Sequence, residues 1–125
     1  MDHIDANKPL GLIIEDEEYL IEVFTVALQE AGYTVKVANN GKAALDILPT
    51  VKPIIILLDL HLPFVTGEEI LEVIDSSEHL AETRVILASA DANWSSYLRG
   101  RVDLILDKPV DFEQLRILSS RYLPA

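Results

Sequence analysis

The sequence has no cysteine, one tryptophan and one methionine, and only 10 lysines and arginines against 21 aspartates and glutamates in 125 residues. Each shortage excludes something. Without cysteine there is no disulfide framework, no thiolate zinc site and no cysteine nucleophile, which agrees with a reducing compartment. The histidines, His3, His61 and His79, lack metal-ligand spacing. A formal net charge of −11 repels phosphate backbones and anionic lipid heads, so nucleic acid and membrane surfaces are disfavoured while cations and proteins are favoured. The longest strongly apolar run, Ile54 to Leu58, is far too short to span a bilayer, and the stretch from Met1 to Pro9 carries no basic-then-apolar leader pattern. A cytoplasmic protein is expected.

With 50% hydrophobic and 25% charged residues, the composition is that of an ordinary globular chain, and 125 residues suffice for a single domain spanning 1–125. There are no repeats and no linker. The charge is uneven, with 4 basic and 16 acidic residues up to position 83 and 6 and 5 thereafter. Short apolar, β-branched-rich runs predict strands over Leu10 to Glu15, Thr34 to Ala38, Ile54 to Leu58, Arg84 to Ser89 and Leu104 to Leu106. The lack of polar alternation in the third implies burial on both faces, as in a parallel sheet. Between the strands lie helical stripes. Leu20, Phe24, Ala27, Leu28 and Ala31 form the first, with Gly32 placed as a left-handed cap, and Ala43, Ala44, Ile47 and Leu48 form a second that Pro49 ends. Thr66 to Glu69 reads as a capping box before Ile70, Leu71 and Ile74. Asp111 and Gln114 stand in the same relation before Leu115, Leu118 and Tyr122, and a short, weakly striped helix falls over Trp94 to Arg99. Repeated strand-helix alternation predicts a three-layer α/β sandwich.

In open parallel sheets chemistry gathers beyond the carboxyl ends of the strands. There the first strand runs into Glu15-Asp16-Glu17-Glu18, the third into Asp59, the fourth ends in Ser89 and the fifth runs into Asp107-Lys108-Pro109. Taken singly each has a bland explanation: a solvated helix start, a turn former, a loop. Together they place carboxylates, a hydroxyl and an ammonium on one rim. Two like unit charges about 4 Å apart repel by roughly 4 kcal/mol at an effective dielectric near 20, so Glu15, Asp16 and Asp59 need a cation or Lys108 among them. Mg²⁺ takes such oxygen ligands, and Asp59 then becomes a candidate phosphoacceptor, with Lys108 and Ser89 placed to hold phosphoryl oxygens.

The run Leu12-Ile13-Ile14-Glu15-Asp16-Glu17, then Leu57-Leu58-Asp59-Leu60-His61-Leu62-Pro63 followed by Gly67, then Val85 to Ala90, then Lys108-Pro109, resembles the receiver domain of two-component response regulators over essentially the whole chain. The resemblance implies a flavodoxin-like fold with five helices around a parallel sheet of order 2-1-3-4-5. It implies that Asp59 takes a phosphoryl group from a histidine kinase or histidine phosphotransfer protein, that Glu15 and Asp16 hold Mg²⁺ with Asp59 and the backbone carbonyl of His61, and that Ser89 and Lys108 complete the site. The bond from Lys108 to Pro109 is expected to be cis. Such a protein catalyses only its own phosphorylation and dephosphorylation, signals to a downstream protein target, needs no DNA-binding output domain and can form a weak homodimer. Two departures bear on output. Ile105 stands where the family usually carries an aromatic, and the segment from Ser89 to Lys108 is about one helical turn short. Trp94, Tyr97, Arg99 and Arg101 form the expected partner surface, being of the types enriched at interface hot spots.

Other classes fit less well. A flavin-type phosphate cradle wants Ser, Thr or Gly after the first strand, where this chain has Glu-Asp-Glu-Glu, and a haloacid-dehalogenase-like phosphatase wants a second Asp where this chain has His61. The main rival is a phosphorylation-independent adaptor that keeps the fold. A receiver cut from a larger regulator or hybrid kinase is the other.

Overall fold

A computed structural model describes residues 8–90 and 98–124. Five strands, β1 (Leu10–Ile14), β2 (Thr34–Ala38), β3 (Ile55–Asp59), β4 (Arg84–Ser89) and β5 (Leu104–Asp107), form one parallel sheet of order β2-β1-β3-β4-β5. Four α-helices stand among the described residues: α1 (Glu18–Ala31), α2 (Gly41–Ile47), α3 (Gly67–Ser76) and α4 (Phe112–Ser120).

The period-two alternation of the strands divides the apolar residues between two layers. Leu12, Ile14, Ile56, Leu58, Val85 and Leu87 pack with Ala44 of α2 and Ile70, Leu71 and Ile74 of α3. Ile13, Ile55, Leu57, Ile86, Ala88 and Leu106 pack with Phe24, Ala27 and Leu28 of α1 and Leu115 of α4. Both faces of the sheet are therefore covered, which is why β3 is apolar at every position but its last.

The helix boundaries follow local chemistry. The Asn40 side chain accepts from Ala43 N–H at 2.7 Å, Thr66 from Glu69 N–H at 3.1 Å and Asp111 from Gln114 N–H at 2.9 Å, each satisfying a helix donor that otherwise has no partner. Gly32 closes α1 at φ 120°, a conformation that would strain any side chain. Pro49 does not stop the second helix outright. The chain tightens into a 3₁₀ turn, Leu48–Thr50, with the proline at its start where a missing N–H costs nothing.

The expected strand ends move by a residue. Glu15 lies just past β1, Ile54 falls outside β3 while Asp59 is its last residue, and β5 extends to Asp107. Ladder pairing decides these ends, since Asp59 pairs with Ala88 and Asp107 with Ser89 whatever their side chains. Of the helix expected over Trp94 to Arg99, residues 94–97 lie outside the described part of the chain, and Arg99–Arg101 form a 3₁₀ turn.

Candidate functional site

Ile13, Leu57 and Leu106 pack on the α1 and α4 side of the sheet. Two residues further along the chain from each come Glu15, Asp59 and Lys108. The same pleat that seats three apolar side chains thus aligns three charged ones beyond them at the carboxyl rim. Lys108 Nζ lies 3.2 Å from Glu15 Oε1 and 3.2 Å from Asp59 Oδ1, bridging the two. Both carboxylates are buried, at 1% and 4% exposure, while the lysine is half-buried.

Backbone bonds hold the pieces in place. Glu15 N–H donates to Ala38 O at 3.2 Å, Leu60 N–H to Ala88 O at 3.3 Å and Lys108 N–H to Ser89 O at 2.8 Å, so each loop starts by gripping the neighbouring strand. His61 N–H donates to Asp59 Oδ1 at 3.2 Å, and Gly67 N–H folds the loop back by donating to Leu60 O at 3.0 Å. A Cβ at Gly67 would stand 2.7 Å from Leu60 Cα and 2.8 Å from Asp59 O. Only glycine lets α3 begin against the backbone of Asp59. The bond between Lys108 and Pro109 is cis.

Glu15, Asp16 and Asp59 each offer a carboxylate oxygen within 4.8 Å of the others. Glu15 is tightly engaged: its Oε2 accepts from Asp16 N–H at 3.1 Å and Glu17 N–H at 3.2 Å, while Oε1 faces Lys108. Burial first, and then the charge of Asp59, raise its pKa from 4.5 to about 7 against the opposing pull of these hydrogen bonds and of Lys108. Burial on its own would lower the Lys108 pKa, but the charges of Asp59 and Glu15 and their hydrogen bonds outweigh it, and the value is raised. Three carboxylates, two buried and Asp16 exposed, against one ammonium leave excess negative charge at the rim. An all-oxygen donor set with that excess fits a hard divalent cation such as Mg²⁺.

The structure brings Glu15, Asp16, Asp59 and Lys108 together as the sequence implies. Ser89 is buried at the end of β4, one place beyond Ala88, the register partner of Asp59. The His61 side chain is exposed and its N–H is turned to Asp59. Of the expected partner surface, Trp94 and Tyr97 lie outside the described residues and Arg99 is exposed. Arg101 is engaged by α3, 3.1 Å from Asp75 and 4.0 Å from Glu68. Ile105 is half-buried against the α2 and α3 layer. A groove of about 740 Å³ lies away from the rim carboxylates, at the amino-terminal end of the sheet, lined among others by Lys52, Thr83, Arg84, Asp103 and Tyr122. No helix among the described residues is long and apolar enough to cross a membrane.

The family model described as "Response regulator receiver domain" matches residues 12–118. The chain belongs to the response regulator receiver domain family. It is 32% identical over 127 residues to the probable methanogenesis regulatory protein FilR2 of Methanothrix harundinacea, covering 92% of this chain and 82% of FilR2. It is 29% identical to the regulatory protein AtoC of Escherichia coli, covering 90% of this chain but 24% of AtoC, so the receiver corresponds to about a quarter of that longer protein. Among solved structures, the response regulator TrrA of Thermotoga maritima in complex with Mg²⁺-BeF superposes with a TM-score of 0.81 at 26% identity, over 92% of this receiver and 99% of TrrA. This is therefore a receiver domain of two-component response regulators, and its acidic cluster is consistent with Mg²⁺ binding.

Proposed function

We propose that this receiver takes a phosphoryl group from a phosphohistidine onto Asp59 and signals through protein contacts. The observation that carries the reading is the bridged trio at the rim: Asp59 Oδ1 lies 3.2 Å from Lys108 Nζ and shares a three-carboxylate cluster with Glu15 and Asp16. The donors are a histidine kinase or histidine phosphotransfer protein, the product is read by a downstream protein, and the only reaction catalysed is the domain's own phosphorylation and dephosphorylation.

An Asp59 oxygen attacks phosphorus, the bond from phosphorus to the imidazole nitrogen breaks, and the imidazole departs and regains a proton. Lys108 then turns from holding a carboxylate oxygen to holding a phosphoryl oxygen, because the former carboxylate keeps little charge once it is part of the acyl phosphate anhydride. The Ser89 hydroxyl, at the adjacent strand end, donates a hydrogen bond to another phosphoryl oxygen. Burial of Asp59 at 4% exposure keeps bulk water from the acyl phosphate until hydrolysis returns the carboxylate and inorganic phosphate. Mg²⁺, held by Asp16, Asp59, the His61 carbonyl and Glu15, would neutralise charge on the transferring group. The TrrA complex with Mg²⁺-BeF supports that assignment by relationship.

Incubation with Mg²⁺ and acetyl phosphate tests the reading. One phosphoryl mass on the native chain and none on Asp59→Asn is the expected result. Equal labelling of both would remove Asp59 from its role, and no labelling of either would leave the phosphorylation-independent adaptor as the better reading.

A further inference from the structure

We propose that Phe64 is the apolar anchor by which a histidine-phosphorylated donor protein docks over Asp59; the proposal rests on Asp59 being the phosphoacceptor. Phe64 is fully exposed. It is also the central residue of a γ-turn of the rarer hand, with φ 68° and with Val65 N–H donating to Pro63 O at 2.8 Å. A bulky residue in the left-handed region is strained, where glycine would not be and asparagine would be less so. Fully exposed, its side chain gains no burial among the described residues that would offset this strain. A large apolar group held so, and covered by no part of the described chain, is surface for something else.

Its place selects the occupant. The turn comes five residues after Asp59 and is pinned to that residue's backbone, since Gly67 bonds Leu60 O and leaves no room for a Cβ beside Asp59 O. Any protein that delivers phosphorus from an imidazole to a carboxylate only 4% exposed must press its surface onto this rim. The rest of the rim sets the charge of that surface. Asp16, Glu17, Glu18 and Glu69 are exposed there, against Lys42 and a Lys108 already engaged with Glu15 and Asp59. An aromatic held out among carboxylates, with Tyr19 also 69% exposed at the start of α1, fits a concave apolar pocket bordered by lysines and arginines on the donor protein. A second copy of this chain, itself at a net charge of −11, would meet like charge there.

The test uses the source organism's histidine kinases, purified and autophosphorylated, and takes forward the one that labels the native chain fastest. Transfer to Phe64→Ala should show KM raised about tenfold or more with kcat little changed, while Phe64→Leu stays close to the native chain. Labelling of both variants by acetyl phosphate should equal the native rate. Unchanged KM in Phe64→Ala overturns the proposal. So does an equal loss of acetyl phosphate labelling, which would make Phe64 a support of the loop. If acetyl phosphate labels the native chain and no kinase does, the docking proposal falls alone; if neither labels it, the phosphoacceptor reading falls with it.

Discussion

Replacing Glu15 by glutamine isolates the electrostatic cost of the rim from everything else in the fold. The Glu15 carboxyl is 1% exposed, and burial together with the Asp59 charge lifts its pKa from 4.5 to about 7. Between those values the folded chain keeps a proton that the unfolded chain releases, so stability falls as pH rises across that window. A displacement of that size is worth about 3 kcal/mol once the carboxylate is fully ionised in both states. The other groups facing it are Asp16, Asp59 and Lys108, and Lys108, with its pKa raised, stays charged throughout. Glutamine resembles the protonated acid in shape and charge but does not titrate. Its single oxygen can keep the N–H groups of Asp16 and Glu17 or face Lys108, not both, which adds a pH-independent loss of about 1 kcal/mol. Urea midpoints of both proteins in EDTA should therefore diverge in favour of Glu15→Gln by about 3 kcal/mol from pH 4.5 to 8. Millimolar Mg²⁺ should shrink or reverse the gain at pH 8, because the native cluster then holds its counter-ion. A difference that stays flat with pH, or that favours the native chain as pH rises, would refute the assignment of the cost to Glu15.

The remaining predictions concern geometry. Gly67→Ala should destabilise by about 2 kcal/mol or more and sharply slow acetyl phosphate labelling, since its methyl meets the backbone of Leu60 and Asp59 rather than a movable side chain; unchanged labelling would show that the loop can shift freely. Tyr33→Phe should cost about 1 kcal/mol in urea unfolding with labelling intact, because the buried Ser119 carbonyl loses the 2.8 Å hydrogen bond donated by the Tyr33 hydroxyl and keeps only the Tyr122 N–H at 3.2 Å; no change in midpoint would mean that this second donor suffices.

The fold was largely legible because its signals are local and periodic. The unbroken apolar run ending at Asp59 announces a doubly covered strand, and the caps at Thr66 and Asp111 announce helices through single side-chain bonds to nearby N–H groups. The pairing of the site's residue types with strand ends was legible too, since alternation with a period of two carries Glu15, Asp59 and Lys108 to one rim. The sequence by itself determined which groups stand at the carboxyl edge and with what sign of charge. It did not determine how that charge is shared. Lys108 is 93 residues from Glu15 and 49 from Asp59, and only the packed sheet makes one ammonium bridge both while burial lifts one carboxyl's pKa. Nor does any sequence rule mark Phe64, whose positive φ is seen only in the folded loop. Propensity acts over a few residues, whereas desolvation, ion sharing and strain depend on what the rest of the chain brings alongside.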